Sequence, residues 1–552
     1  MFRIQALKLS SPQWVLAIIL IAAFLLHVPG LFYGIPMKNN VGDEVTIMST
    51  IFKMFDDHTL RPDYASFYHL PMTVYLQIPF YLILVLFLLG SGIFPDIESL
   101  KNFVMLDYGI LLPFARLIAA LFATLAGFLI YRVMKKIGGS EKAALLASFL
   151  LSFNLMFFQV THFGRAWSLQ IALLLIALMA YLSWNEKEDP KRRDYAWVAL
   201  TSFLTYGVHL VGGFVYAVFV VFFLSKIRRF KEHGQLKRHL QYFTATTVSL
   251  VLVLLVYYIL HPAGVLVYLT QPSVERAAGA VEGFLYNLKY YAWIFSTYDT
   301  LLAVLSIPAF VYLYKRKKEI ALGLFAYIAV HILSIAYAVH SEPRFIVSTM
   351  PFLVIPTAFF IVAVFDMVQN QYIRRTLYST LVLFILLLPL AWTRAIILPN
   401  TLLSARSLVM NTLPADTSLI TNNFYIDIPE NKKAAAYAAE KSVIADTTER
   451  RAIVSLPEEL LGKPRYFARI DGKLGAIADK SLSFKYAVIS FWNEEEAQAL
   501  KMKLPVSAKL IRSLYPTEKV RSLTDIANNM HSPFQTLLNI RMTGPYVEIY
   551  SF

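Results

Sequence analysis

The chain has 552 residues, 57% of them hydrophobic and only 16% charged, with a formal charge of +15 and a mean hydropathy of +0.55. These values exclude a string of soluble domains, a fibrous or collagen-like chain and a disordered one, and describe an integral membrane protein. The absence of cysteine excludes disulfide frameworks, zinc ribbons, iron–sulfur clusters and Cys nucleophiles.

A bilayer core about 30 Å thick takes roughly 20 apolar residues at 1.5 Å each. Taken in chain order, the sequence predicts spans near 13–33, 109–131, 143–161, 165–184, 195–210, 212–226, 241–261, 299–314, 320–339, 345–365 and 377–397. The first has no small-residue cleavage site, so it reads as an uncleaved anchor. Basic clusters separate the spans: Arg132, Lys135, Lys136 and Lys142; Lys187, Lys191, Arg192 and Arg193; the run from Lys226 to Arg238; Lys315 to Lys318; and Arg374 with Arg375. All five face the cytoplasm if the N-terminus does. The apolar stretch 70–92 would invert that count, so it is expected to lie in the interface or dip partway, with Pro71 at its start and Pro79 at a bend. The expectation is an all-α polytopic membrane bundle of about 11 transmembrane helices in the inner membrane, N-terminus inside. It forms residues 1–397, with an outer loop over 34–108, and is followed by an outward-facing α/β domain over 398–552. That domain carries 19 Lys/Arg against 16 Asp/Glu, so the positive excess sits in the loops of the bundle and not on a nucleic-acid-binding stripe. Strand-like runs at 418–421, 484–490 and 546–552 alternate with helix-like ones at 431–442 and 494–503.

Chemistry-bearing residues gather at the outer face. Val41-Gly42-Asp43-Glu44 opens an apolar pattern at Ile47, Met48, Ile51, Phe52, Met54 and Phe55, the spacing of a helix lying on the membrane surface. Asp43 and Glu44 are adjacent carboxylates at the mouth of the bundle, suited to act as a general base on an acceptor hydroxyl; Asp43 equally suits an N-cap. Tyr68 and His69 stand where the 70–92 helix begins, either lining a sugar pocket or belonging to the aromatic belt. His162 and Arg165 share one outer turn, and His340, Glu342 and Arg344 another. An arginine on that side runs against the charge rule; a phosphate ligand, pairing with Glu342 or snorkelling to headgroups each accounts for it. Arg116 lies within its span, where an ionisable group marks a site, and a buried pair with Asp43 or Glu44 would both explain it and order that site. Asp43, Glu44 and His69 could assemble a metal set, but no ligand motif such as H-E-x-x-H is present, nor a P-loop, a G-x-G-x-x-G or a G-x-S-x-G.

The arrangement resembles the membrane-embedded GT-C glycosyltransferases, in the bacterial branch related to protein O-mannosyltransferases and to lipid A aminoarabinose transferase. The resemblance is carried by Gly42-Asp43-Glu44 after the first span, the helix behind it, the aromatic–His–Leu–Pro71 start of the next helix, Arg116, the Glu342-Pro343-Arg344-Phe345 turn and the C-terminal Gly544-Pro545-Tyr546-Val547-Glu548-Ile549-Tyr550. His69-Leu70-Pro71 stands where relatives carry Pro-Pro or Lys-Pro. The Trp-Trp-Asp-Tyr-Gly signature of oligosaccharyltransferases is missing. The resemblance implies an inverting transferase of a single hexosyl or pentosyl unit from a polyprenyl-phosphate sugar to a protein, lipid or glycan acceptor. It places the acceptor-activating base at Asp43 with Glu44 beside it, and implies no cofactor; a divalent metal is allowed and not expected. Arg344 and Arg165 are the candidates for stabilising the departing phosphate, with His69, Tyr68, Arg116, Glu342, His340 and His162 as further substrate-binding candidates. The competing expectation is a lipid-linked saccharide transporter with an outer accessory domain; that class is built on internal repeats and ionisable residues at mid-membrane depth, whereas here no internal repeat is seen and the charged candidates crowd the outer face.

Overall fold

The computed structural model describes residues 11–37, 44–60, 62, 71–260, 280–337, 342–441, 448–462, 464–478, 483–518 and 537–552. In chain order the helices are α1 (Ser11–His27), α2 (Glu44–Asp56), α3 (Pro71–Gly90), α4 (Ile97–Asp107), α5 (Leu112–Lys136), α6 (Glu141–Ser152), α7 (Leu155–Thr161), α8 (Trp167–Glu186), α9 (Arg192–Val208), α10 (Tyr216–Glu232) and α11 (Leu236–Leu260). They continue with α12 (Ala280–Tyr298), α13 (Thr300–Arg316), α14 (Lys318–Ala336), α15 (Met350–Asp366), α16 (Gln371–Ile397), α17 (Thr401–Thr412), α18 (Lys432–Lys441), α19 (Thr448–Ser455) and α20 (Glu494–Lys501).

Among the described residues eight helices are long and apolar enough to cross a membrane, or up to ten if each of two bent pairs counts as one span. The protein is a multi-pass membrane bundle, and it departs from the expected spans and loops in several places. The stretch expected to lie in the interface forms one helix, and its segment Met72–Gly90 is long and apolar enough to cross like the other spans; Pro71 begins that helix and Pro79 lies inside it. The expected span 143–161 is broken between α6 and α7 with a 54° bend, where Asn154 leaves helical geometry and its side chain accepts the Phe157 N–H at 2.9 Å, a capping arrangement. The second bent pair, Gly283–Tyr298 with Thr300–Arg316, turns by 107° at Asp299, which caps α13, so part of what reads as an outer loop is helical. Helix α11, with 25 residues, is long enough at 1.5 Å per residue to cross as well.

The chain divides into two compact units, Met1–Val28 with Thr59–Gln77 and Leu117–Leu390, and Pro29–His58 with Ile78–Arg116 and Ala391–Phe552. In the first, α8 and the segment Pro343–Asp366 are mostly buried, whereas α1 is mostly not. Hence α8 and α15 form the interior, and α1 turns Ile18, Ile21 and Leu25 outward, a lipid-facing side. The turn from α9 to α10 depends on glycine, since a Cβ on Gly212 would collide with the Thr205 carbonyl. Thr73 of α3 donates to the Val208 carbonyl at 2.9 Å at the same place.

In the second unit a five-stranded sheet has the order β2-β1-β3-β5-β4, with β1 (Ser418–Thr421), β2 (Phe467–Ile470), β3 (Tyr486–Phe491), β4 (Lys509–Leu514) and β5 (Tyr546–Ser551). Strand β1 runs parallel to β2 and β3, and β5 runs antiparallel to β3 and β4. Period-two alternation feeds two cores. Leu419, Val488, Val547 and Ile549 pack on Leu402, Ala405 and Val409 of α17. On the other face Ile420, Ala487, Ile489 and Tyr550 pack on Ala497 and Leu500 of α20. Also here, α2 buries Ile47, Met48, Ile51 and Met54 completely or nearly so. Its apolar stripe is therefore covered by protein, not laid on lipid as its spacing suggests, and Phe52 and Phe55 are half-buried.

Candidate active site

Glu44 is the first residue of α2, where a carboxylate is favoured by the helix dipole. Arg116, the fifth residue of α5, meets it: Nε donates to Oε1 at 2.6 Å and Nη2 to Oε2 at 2.8 Å, and both side chains are wholly excluded from solvent. Nη1 donates to the carbonyls of Gly30, Leu31 and Tyr33 at 3.2, 2.9 and 2.6 Å. A two-point fork of this kind fixes orientation as well as charge. Arg116 thus ties together the segment after α1, the start of α2 and the start of α5. Of the roles open to it in the sequence, the structure shows pairing with Glu44, and its donors are spent on that carboxylate and on backbone. Tyr81 of α3 is buried in this unit with its ring edge-on to Phe52 and Phe114, 5.9 and 5.5 Å away; its hydroxyl has no hydrogen-bond partner among the described residues. Asp43, Tyr68, His69 and His340 lie outside the described residues.

In the first unit the turn from α7 to α8 carries His162 and Arg165, exposed by 2% and 3%. The ring nitrogens of His162 face the carbonyls of Phe158 at 2.6 Å and Leu26 at 3.2 Å. Its ring stacks on His27, 4.3 Å away, and His27 bonds the Ala23 carbonyl and the Thr161 hydroxyl. His162 is therefore engaged with backbone, and it fastens the end of α1 to the turn that bears Arg165. Arg344 stands in a 3-10 segment, Pro343–Thr349. Its Nε pairs with Glu342 at 2.6 Å, and its guanidinium lies 5.8 Å from the Phe345 ring centre. Trp167 contacts both Phe345 and His209, with centroids 6.1 and 4.7 Å away.

Sequence reasoning passed over His27, Trp167 and His209. The last had a signal: it sits at the break after α9, between Gly207 and the Gly212-Gly213 pair. Among the described residues no three His, Asp or Glu side chains group as a metal-ligand set. Of the three candidates for one, Glu44 directs both oxygens at Arg116.

Residues 112–263 match the family model of dolichyl-phosphate-mannose-protein mannosyltransferases. Over that segment the chain is similar to the protein mannosyltransferases. The segment begins at α5 and includes Arg116, His162, Arg165, Trp167 and His209. No curated protein matches the chain. Among solved structures, ArnT from Cupriavidus metallidurans bound to undecaprenyl phosphate is 14% identical, with 91% of this chain and 97% of that one covered at a TM-score of 0.46. The oligosaccharyltransferase AglB from Archaeoglobus fulgidus, in complex with an inhibitory peptide and a dolichol-phosphate, is 13% identical, with 86% and 69% covered at 0.43.

Proposed function

We propose that the protein is an inverting glycosyltransferase that moves one hexosyl or pentosyl unit from a polyprenyl-phosphate carrier to a hydroxyl of a protein, lipid or glycan on the outer face of the membrane. The observation that carries this reading is the family match over 112–263. The buried Glu44–Arg116 fork supports the placing of the site. It holds the start of α2, and Asp43 is the residue that precedes that helix in the chain. In the proposed step Asp43 takes the proton of the acceptor hydroxyl as that oxygen bonds to the anomeric carbon. The bond from the same carbon to the phosphate oxygen breaks with inversion, and the electron pair leaves with the lipid phosphate. Arg344 and Arg165 stabilise the charge that develops there, while Glu44 and Arg116 act as positioning residues.

No nucleotide is required, because the lipid phosphate is itself the leaving group. The proposal includes metal independence: transfer is expected to be unchanged by EDTA, and a loss restored by Mg²⁺ or Mn²⁺ would overturn that part. The decisive experiment is single-sugar transfer in detergent from a panel of radiolabelled polyprenyl-phosphate sugars, with membranes of the native host as acceptor and Asp43→Asn beside wild type. Loss of a general base is expected to lower transfer about a hundredfold or more. Full transfer by Asp43→Asn would make Asp43 a helix cap. Labelled lipid crossing vesicles without any transfer would make the protein a transporter.

A further inference from the structure

His331 is buried completely in the apolar helix α14, where an ionisable side chain is costly and marks a function by default. Its Nε2 lies 2.8 Å from the carbonyl oxygen of Phe345, the residue after Arg344. That nitrogen therefore carries the proton, and Nδ1 has no partner among the described residues. One helical turn earlier Tyr327, also buried completely, donates its hydroxyl to the carbonyl of Ser348 at 3.3 Å, and its ring stacks on Phe352 with centroids 3.9 Å apart. Phe214 closes the other side of the imidazole, edge-on at 6.2 Å.

The spacing of these two contacts has a geometric reason. Residues 327 and 331 are four apart on an α-helix, a rise of about 6 Å at 1.5 Å per residue. Residues 345 and 348 are three apart on a 3-10 helix, a rise of about 6 Å at 2.0 Å per residue. Two donors on one helix thus match two carbonyls on the other, and two points of attachment fix both the height and the rotation of the Pro343–Thr349 segment. Arg344 is carried on that segment, and its tie to Glu342 stays within the same turn and cannot set its height against α14. Leucine at 331 would cost less to bury and would leave no unpaired ring nitrogen, so packing alone gives no reason for a histidine there.

We propose that His331, seconded by Tyr327, is a positioning residue that holds Arg344 in register for the phosphate of a polyprenyl-phosphate ligand. The proposal rests on the reading of Arg344 as a phosphate ligand. It is tested on the full-length protein in detergent by measuring the Kd of undecaprenyl phosphate, after each variant has been verified as a single species by size exclusion. Arg344→Gln is expected to weaken binding about tenfold or more, the loss of a charge-assisted contact. His331→Leu is expected to weaken it about tenfold, and His331→Gln, whose amide nitrogen can stand in for Nε2, to stay within about threefold of wild type. The double variant His331→Leu/Arg344→Gln should bind no more weakly than Arg344→Gln alone, because a residue acting through Arg344 has nothing left to position. A purely structural role would lower affinity by the same factor in both backgrounds, and that outcome overturns the proposal, as does wild-type affinity in His331→Leu. Should the leucine variant not yield a single species, Tyr327→Phe, which removes one hydroxyl, takes its place in the same cycle. Wild-type affinity in Arg344→Gln would be a different failure: it would remove the phosphate role of Arg344 itself, and the proposal with it.

Discussion

Two arginine–carboxylate pairs, one in each unit, share a 2.6 Å contact through Nε and differ in almost everything else. Arg116 and Glu44 are fully excluded from solvent, and three backbone carbonyls complete the arginine's surroundings. The side chains of Arg344 and Glu342 remain 11% and 26% exposed, on a short 3-10 segment with one aromatic ring beneath the guanidinium. Distance alone would rank the two as equals. Burial separates an anchor, whose loss strands a charge in a dry interior, from a pair that keeps part of its surface exposed and that the proposed function sets against the lipid phosphate. A resemblance motif includes both arginines without telling these roles apart.

The largest effect that tests this contrast is on stability. Arg116→Ala leaves Glu44 buried and unpaired, and breaking such a pair costs about 3–5 kcal/mol. The unfolding midpoint in detergent is expected to fall sharply, and removing Glu44 in the same chain should recover part of the loss, since no charge is then stranded. A midpoint close to wild type in Arg116→Ala would mean that the fork is not an anchor. Next in size is Arg344→Gln in the transfer assay, expected to lower turnover about a hundredfold while the midpoint stays near wild type. If that variant instead melts as Arg116→Ala does, the two pairs do the same work and the contrast collapses.

A further carboxylate, buried like Glu44, extends the comparison into the sheet of the second unit. Glu548 on β5 is 1% exposed and accepts from Lys501 at 2.8 Å, from Tyr550 at 2.6 Å and from Tyr515. Burial first, and then the hydrogen bond to this carboxylate, hold the phenols of Tyr515 and Tyr550 above the ordinary tyrosine range. They stay protonated in the folded chain at a pH where the unfolded chain has lost those protons. Their contribution is therefore complete below about pH 10 and is lost as pH rises beyond it. A thermal series between pH 8 and 12 should show stability falling above about pH 10, with a shallower fall in Tyr515→Phe and Tyr550→Phe. An equal slope in both variants would remove these hydroxyls from the account.

What was legible in the sequence follows from how each feature is built. Strand β1 was legible to the residue, and β3 and β5 to within two, because these inner strands alternate apolar residues between two cores. The two that escaped notice, β2 and β4, are the outer strands of the sheet. Lys509–Leu514 is exposed nearly throughout, and an edge strand kept short or charged against aggregation carries no apolar alternation to find. The 70–92 stretch was demoted by a charge count over other loops, although its own length and apolarity already matched a span. At the site, Arg116 could be singled out because a charge inside an apolar run stands out against its neighbours. His27 and His331 could not, since each is a single residue whose partners are a backbone carbonyl or a side chain brought up by folding. For His27 and Thr161 that separation is 134 residues.

The smallest expected effect closes the series. Arg228 and Glu232 on α10 make an i,i+4 contact of 2.8 Å, about as short as those in the two site pairs, with side chains 91% and 57% exposed. Water already solvates both ends, salt screens their attraction, and holding two long side chains in one geometry costs entropy that offsets the remainder. Arg228→Ala should leave both the unfolding midpoint and the transfer rate unchanged within measurement. A drop approaching that of Arg116→Ala would show that contact distance, and not burial, ranks the ion pairs of this protein. The anchor role of Glu44–Arg116 would then lose the physical argument on which it stands.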